Sequence, residues 1–495
     1  MSIVVHNAEV EAEGNRFARA LAKAGVPARA TVAALLANTP EYLATYRGTT
    51  GSGRRLTPMS WRWTAEEVAY VVENCEAAAL VLDARFAAAI ADAARNIPAA
   101  ARFCVGGEIS GFRPWSDLQQ ESPEPLSNPL CGDVMLYTSG TTGRPKGVRR
   151  PFLPDQPPPT IIGRAGKAMI ETFLPPEHRT GAHLVSCPLY HVAPTTYSDG
   201  ALLLGADVIL MERFDPEELL RQVEQHRVVS TFLVPTQFVR LLRLPEEVRR
   251  RYDLSSLRLV MHGAAPVAVE IKRQMIDWLG PILFEFYGGT EGGGVMINSE
   301  DWLAHPGSVG RPRPGLEVHI LDDEGAPVPT GEAGAVYFRG EDAPFEYKGD
   351  AEKTAEARRG EYYTIGDIGR VDAEGFLYLL DRRADVIISG GVNIYPAEIE
   401  SALFELPYVA DCCVVGAPDD EWGEHVRAVV ELDPGQPIDP ETVAEEVIAH
   451  CRERLAGYQV PRAVDLTDSL PRTETGKLAR RLIREPYWAG RERRI

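Results

Sequence analysis

The stretch Tyr137 to Gly147, YTSGTTGRPKG, gathers residue types that can hold a polyphosphate. Its glycines let the backbone bend tightly and turn N–H groups inward. Hydroxyls at Thr138, Ser139, Thr141 and Thr142 add donors, and Lys146 adds a charge. A Walker loop needs G-x-x-x-x-G-K-[ST], whereas Lys146 here follows Arg144-Pro145 and precedes Gly147. The plain alternative, a polar turn after a strand, accounts poorly for so dense a run of Gly, Ser and Thr. Glu291 stands in a second glycine-rich stretch, Gly288-Gly289-Thr290-Glu291-Gly292-Gly293-Gly294. Such a stretch implies close backbone approach, and a carboxylate there is a hard oxygen donor of the kind Mg²⁺ takes. Lys477 ends the Gly-containing loop Thr473 to Lys477, before the helix-like LARRLIRE, and is a compact point charge. Taken singly, Asp367 is a turn acid before Ile368-Gly369 and Arg382 a surface cation beside Arg383 and Asp385.

Alternating helices and strands must position these groups. Thr64-Ala-Glu-Glu67 has the spacing of a capping box, which predicts a helix to about Cys75 and a strand over Ala78 to Leu82. Asp215-Pro216-Glu-Glu218 repeats that logic with Pro at the first helical position, and the strand-like Val228 to Val234 follows. Pro396 to Glu405 reads as a helix and Val409 to Gly416 as a strand. This alternation predicts an α/β architecture with a largely parallel sheet. Gly310 to Tyr378, broken by Gly and Pro, predicts a small all-β unit. Cys104 to Asn128 reads as a long surface connection, and the proline-rich Arg149 to Thr160 as a stiff, extended loop.

The chain has 495 residues, enough for several domains at about 100–200 residues each. A net charge of −19 argues against a nucleic-acid partner or an anionic membrane surface. No apolar run is long enough for a membrane span, and the start lacks the basic and apolar regions of a signal peptide. Seven cysteines without metal spacing fit reduced thiols, so a cytoplasmic protein is expected. The charge is uneven. From Arg452 to Ile495 there are eleven Lys and Arg against six Asp and Glu, a local +5, so the rest carries −24. That basic end is either a solvated tail or a region that meets an anionic ligand.

Together these segments resemble the adenylate-forming (ANL) superfamily of acyl-CoA synthetases, luciferase-like enzymes and peptide-synthetase adenylation domains. YTSGTTGRPKG is similar to that family's phosphate loop, which carries nucleotide-binding roles onto Thr138, Ser139, Gly140, Thr141, Thr142, Gly143 and Lys146. His191 in PLYHV matches an acyl-pocket segment, and HGAAPV matches an adenine-contacting turn at Gly263, Ala264, Ala265 and Pro266. YGGTEG matches the motif whose Tyr packs on adenine, whose Thr reaches phosphate and whose Glu holds Mg²⁺, here Tyr287, Thr290 and Glu291. Asp367 and Arg382 match two ribose contacts. Ser389, Gly390 and Gly391 match the CoA-facing loop, joined by Trp422 as a stacking partner. Lys477 matches the catalytic lysine, and Ala384 stands at the hinge, where many relatives carry Asp or Lys.

The resemblance implies a large N-terminal domain of layered α/β sheets with a small β-barrel-like unit over residues 1–382. A small mobile α+β domain over 383–495 would then turn between two half-reactions. It further implies an ATP-dependent ligase that forms an acyl-adenylate, releases pyrophosphate and passes the acyl group to CoA, with Lys477, Glu291 and Thr290 catalytic. The acid pocket would include His191, Val192, Gly263, Gly288 and Gly289. Val192 stands where amino-acid-activating relatives place an Asp, and no carrier-attachment sequence follows Ile495, so a free acid without an α-amine is expected. The resemblance is closest to synthetases for fatty, aromatic, or steroid and bile-type acids, and Gly288, Gly289 and Gly292 to Gly294 suggest spare volume for a bulky or polycyclic acid. The segments MSWRWTAEE and GVRRPF resemble the steroid/bile-acid ligase branch. An acyl-AMP ligase serving a carrier protein, a luciferase-like oxygenase and a non-catalytic nucleotide-binding paralogue are the alternatives, and a homodimer is left open.

Overall fold

A computed structural model describes residues 2–89, 93–138, 145–152, 158–340, 344–436, 438–472 and 478–490. The chain forms two compact units. One comprises Met1–Leu233, Leu244–Met261 and Asp342–Glu356; the other comprises Val234–Arg243, His262–Glu341 and Ala357–Ile495. The boundary expected after residue 382 falls within the second unit.

The first unit is built on parallel sheets. Thr31–Leu35, buried along its whole length, pairs in parallel with Arg55–Pro58 on one side and Ala77–Asp83 on the other. Arg102–Val105 and Arg113–Pro114 extend one edge and Asp133–Val134 the other, all in parallel. Continuous apolar runs are what a sheet covered on both faces requires. A second parallel set joins Val208–Leu210, His183–Val185 and Ser230–Leu233, with Ile3–Val5 antiparallel at its edge. The capping signals act as read: Thr64 accepts from Glu67 N–H and starts the helix Ala65–Asn74, and Asp215 accepts from Glu218 N–H and starts Pro216–His226.

Two expectations, one for a connecting segment and one for the small all-β unit, need correction. Cys104 to Asn128 is not merely a connection. It contains the edge strand Arg113–Pro114, and Trp115 stacks on Phe17 of the helix Asn7–Lys23 with ring centroids 5.1 Å apart. The Arg19 guanidinium of that helix gathers the carbonyls of Ser122, Glu124 and Pro125, which supplies the backbone partners a loop otherwise lacks. Nor is Gly310 to Tyr378 wholly β. Ala351–Glu356 is a short helix, because Asp350 accepts from Lys353 N–H and the residues that follow favour a helix.

In the second unit, Leu283–Gly289 and Gly292–Asn298 form an antiparallel hairpin extended by Arg311–Pro312. An antiparallel sheet runs Leu316–Leu321, Gly334–Gly340, Tyr362–Val371 and Arg358–Arg359, with Leu377–Arg382 also paired to Tyr362–Val371. Nearer the C-terminus, Gly423–Leu432 pairs antiparallel with Val409–Asp419 and parallel with Ala463–Thr467. The helices Pro396–Leu403 and Val443–Arg454 cover one apolar face through Ile399, Leu403, Val443 and Val447. Ile483 of the helix Arg480–Arg484 joins Cys413, Val415 and Val429 in a separate apolar cluster. All seven cysteines are buried and none forms a disulfide. Among the described residues, no helix is long and apolar enough to cross a membrane.

Candidate active site

In the second unit, three residues from separate parts of the chain meet. Tyr287 leaves the strand Leu283–Gly289, and its phenol donates to Asp367 Oδ2 at 2.7 Å. Arg382 Nε lies 3.1 Å from Asp367 Oδ1. The β-ladder fixes this last pair, because Asp367 and Arg382 are direct partners on adjacent antiparallel strands. Burial first, and then the Asp367 charge, hold the Tyr287 phenol well above its ordinary range, so it stays protonated and donates. Partial desolvation alone would lower the guanidinium of the half-exposed Arg382. Asp367, then Tyr287 and Glu291, raise it instead. A carboxylate has about four lone-pair sites, so Asp367 is held at both oxygens and can still accept from a diol.

The turn between the hairpin strands carries Thr290 and Glu291. Its glycines are needed for packing. A Cβ on Gly292 would lie 2.5 Å from the Tyr363 hydroxyl, and φ there is +149°. The same hydroxyl accepts from Gly293 N–H at 3.0 Å. On Gly294 a Cβ would meet the Arg313 side chain at 2.9 Å, on Gly293 it would meet Gly288 Cα at 2.9 Å, and on Gly288 it would meet Gly292 O at 3.0 Å. On Gly289 it would lie 2.9 Å from the Glu291 carboxylate. The reading of these glycines as spare volume is therefore corrected: neighbouring atoms already occupy the space a side chain would take. Tyr363 is the residue that the sequence reading missed, although it lies in the same YYTIGD segment as Asp367.

The HGAAP turn packs against this strand. A Cβ on Gly263 would lie 2.4 Å from Phe286 O, and Ala264 is held at φ +70°. Such a conformation in a residue with a side chain is uncommon, and it clusters at functional sites. Ala265 and Pro266 continue the turn. Beneath it lies a buried charge group not foreseen from sequence. Lys272 Nζ pairs with Glu285 Oε2 at 2.5 Å, and Trp302 lies 4.9 Å from the same ammonium. His262 is fully buried 3.8 Å from that carboxylate, and burial holds its imidazole well below the ordinary value, hence neutral.

In the first unit, Thr138 and Lys146 are cross-strand partners at the base of the hairpin that carries the expected phosphate loop. Gly147 must lack a side chain there, since a Cβ would lie 2.8 Å from the Tyr137 ring. Burial, and next the neighbouring Lys353, lower the Lys146 ammonium, while Asp350 at 3.8 Å opposes them. Ser139, Gly140, Thr141, Thr142 and Gly143, and likewise Lys477, lie outside the described residues. His191 precedes the helix Val192–Leu203, and its ring lies 4.4 Å from Tyr190. Trp61 meets Tyr190 edge-on at 4.7 Å and stacks on Phe86 at 6.2 Å. His191 thus ends an aromatic row.

Ser389, Gly390 and Gly391 form the tip of a tight hairpin in which Ser389 pairs with Val392. Both glycines have positive φ, +57° and +82°, as a two-residue hairpin turn of this type requires. Gly390 N–H donates to Trp422 O at 2.7 Å, and the indole lies over Gly390 so closely that a Cβ would sit 2.4 Å from it. The structure therefore brings Trp422 onto the loop with which it was grouped, and leaves the residue 45% exposed.

Sequence comparison decides the family. The AMP-binding enzyme family model matches residues 7–344, and the model for the AMP-binding enzyme C-terminal domain matches 398–477. The chain belongs to the AMP-binding enzyme family. Among its relatives, a feruloyl-CoA synthase of an Amycolatopsis species is 35% identical, over 97% of this chain and 93% of that one. An indoleacetate–CoA ligase of Aromatoleum aromaticum is 32% identical, over 95% and 91%. The solved amide bond synthetase McbA from Marinactinospora thermotolerans superposes with a TM-score of 0.84 at 28% identity, covering 97% of this chain and 94% of that one. This AMP-binding enzyme thus has the adenylate-forming architecture along nearly its whole length.

Proposed function

We propose that this AMP-binding enzyme activates a carboxylic acid that bears an aromatic ring. The overall reaction is that of an AMP-forming acyl-CoA ligase. A carboxylate oxygen attacks the α-phosphorus of ATP, the bond to pyrophosphate breaks, and an acyl-adenylate forms. The CoA thiol, giving up its proton, then attacks the acyl carbonyl and AMP leaves. The first step brings two anions together, so donors and cations must be in place before charge builds up.

In this reading the Asp367 carboxylate accepts from the ribose hydroxyls, positioned for that task by Tyr287 and Arg382. The HGAAP turn and the Tyr287 ring border the adenine. Thr138 and Lys146 stand at the base of the phosphate loop. Glu291 and Thr290 offer only hard oxygens, and Gly289 leaves the Glu291 carboxylate close over bare backbone, so this donor set fits Mg²⁺. When bound, Mg²⁺ would neutralise phosphate charge. Lys477 holds the carboxylate and α-phosphate together in the first step. Residues 383–495 turn about Ala384 to present Ser389, Gly390, Gly391 and Trp422 to CoA in the second.

The observation that carries the choice of acid is the aromatic row Phe86, Trp61, Tyr190 and His191, ending at the segment expected to line the acid pocket. Aromatic groups prefer offset or edge-on partners of their own kind. The ferulate and indoleacetate named in two relatives of nearly full overlap support it. The test is acid-dependent ATP–pyrophosphate exchange, then thioester formation with CoA, using ferulate, indole-3-acetate, octanoate and cholate. Ferulate or indole-3-acetate should give the highest kcat/KM. A tenfold preference for octanoate or cholate overturns the aromatic assignment.

A further inference from the structure

The expected hinge is a closed β-turn. The Asp385 N–H donates to Arg382 O at 2.8 Å, which leaves Arg383 and Ala384 as the two central residues. Both sides of the turn are anchored. Upstream, the Arg383 N–H donates to Gly366 O at 3.0 Å, and Arg382 is paired with Asp367. Downstream, Arg484 Nη1 donates to Ala384 O at 3.2 Å and lies 3.9 Å from Asp385 Oδ1.

Arg484 is itself presented by a rigid support. Arg480 lies one helical turn earlier in Arg480–Arg484 and forks onto Glu400 at 2.5 and 2.6 Å. It also donates to Val414 O at 2.7 Å, while Glu400 accepts from Val414 N–H at 2.7 Å. Arg480 Nε lies 3.9 Å from Asp385 Oδ2. A bidentate, mostly buried guanidinium–carboxylate pair fixes geometry in a way an exposed ion pair does not. The helix bearing these two arginines begins three residues after Lys477. Ala384 offers no polar side chain of its own, so its backbone carbonyl is what another residue can hold.

We propose that Arg484 is a positioning residue that grips the hinge turn by the Ala384 carbonyl, so that the helix following Lys477 sets the state of the pivot. Between the two anchors only the torsions of Arg383 and Ala384 remain to rotate. Passage between half-reactions then turns on those two residues, with the Arg484 bond fixing the downstream side of the turn to its helix. The catalytic consequence rests on the ligase reading above; the grip itself does not.

Arg382, Arg383 and Ala384 are exposed, so trypsin can report on the turn directly. Full-length Arg484→Ala, Arg484→Lys and wild-type protein are digested under native conditions, and cleavage after Arg382 or Arg383 is identified by fragment mass. Losing a hydrogen bond from a charged donor should accelerate hinge cleavage about tenfold in Arg484→Ala, with Tm within a degree or two of wild type. Arg484→Lys, which keeps one donor, should restore most of the protection. Hinge cleavage of Arg484→Ala at the wild-type rate overturns the proposal. In the second arm, pyrophosphate exchange and thioester formation are measured separately with whichever acid of the panel above the wild-type protein turns over fastest. Arg484→Ala should change the ratio of the two rates at least fivefold, and an unchanged ratio overturns the control of the pivot. Wild-type protein inactive with every acid would sink the ligase reading but leave the digestion result standing.

Discussion

The Tyr287 hydroxyl donates to Asp367 Oδ2 at 2.7 Å across a separation of eighty residues. This bond joins the turn that carries Glu291 to the strand pair that carries Arg382. It makes the proposed nucleoside contact a coupled unit, because displacing one residue of the set disturbs the carboxylate that the others orient.

Tyr287→Phe keeps the ring and deletes that bond. A hydrogen bond to a charged group contributes about 1.5–3 kcal/mol, and Arg382 still holds the other oxygen. The expected loss is about tenfold in kcat/KM for ATP, read by pyrophosphate exchange. An unchanged value would show that Asp367 needs no help from Tyr287.

Gly292→Ala should be far more damaging than a single methyl suggests. The new Cβ would meet the Tyr363 hydroxyl at 2.5 Å, at a φ of +149°. Displacing the turn that carries Glu291 by about 1 Å can cost about 10²-fold in rate. Pyrophosphate exchange at the wild-type rate would mean that the turn does not position Glu291.

Removing one member of the buried Lys272–Glu285 pair should cost stability. Lys272→Met leaves an uncompensated carboxylate, worth about 3–5 kcal/mol by urea unfolding. The double variant Lys272→Met/Glu285→Leu should recover most of that loss, since similar apolar replacements are often neutral. A double variant no more stable than the single one would place the damage in packing instead.

The Asp381 carboxyl accepts from Arg382 N–H at 2.7 Å and Ala397 N–H at 3.1 Å. Burial pushes it up to about 6 from 3.8; Arg480 opposes the rise, while Glu400 and Asp385 add to it. A carboxyl raised on folding binds its proton more tightly in the native state. Its contribution to stability is therefore full below about pH 4 and is lost as pH rises through about 6. Relative to Asp381→Asn, wild-type protein should lose stability between pH 4 and 7 in urea titrations. Parallel profiles for the two proteins would contradict this assignment.

Lys477→Ala should lower adenylation by about 10²–10³, the usual cost of removing one transition-state donor. The variant should still bind ATP. Pyrophosphate release at the wild-type rate would remove Lys477 from the catalytic set.

What the sequence determined by itself was local or ordered along the chain. The caps at Thr64 and Asp215 act within one helical turn, so their partners are three residues away and can be read directly. The order of motifs from Tyr137 to Lys477 identified the family and the chemistry. Tertiary structure alone decided relationships between residues distant in sequence. Nothing near Gly292 says that the Tyr363 hydroxyl occupies the space a side chain would need, and a run of glycines reads equally well as open volume. Lys272 and Glu285 look like surface charges until a helix and a strand pack together and exclude water from both. Arg484 looks like one cation in a basic tail, and only folding brings it to the Ala384 carbonyl, a hundred residues away. Hydrogen bonding and desolvation depend on which surfaces meet, and sequence spacing carries that information only within a turn or a ladder.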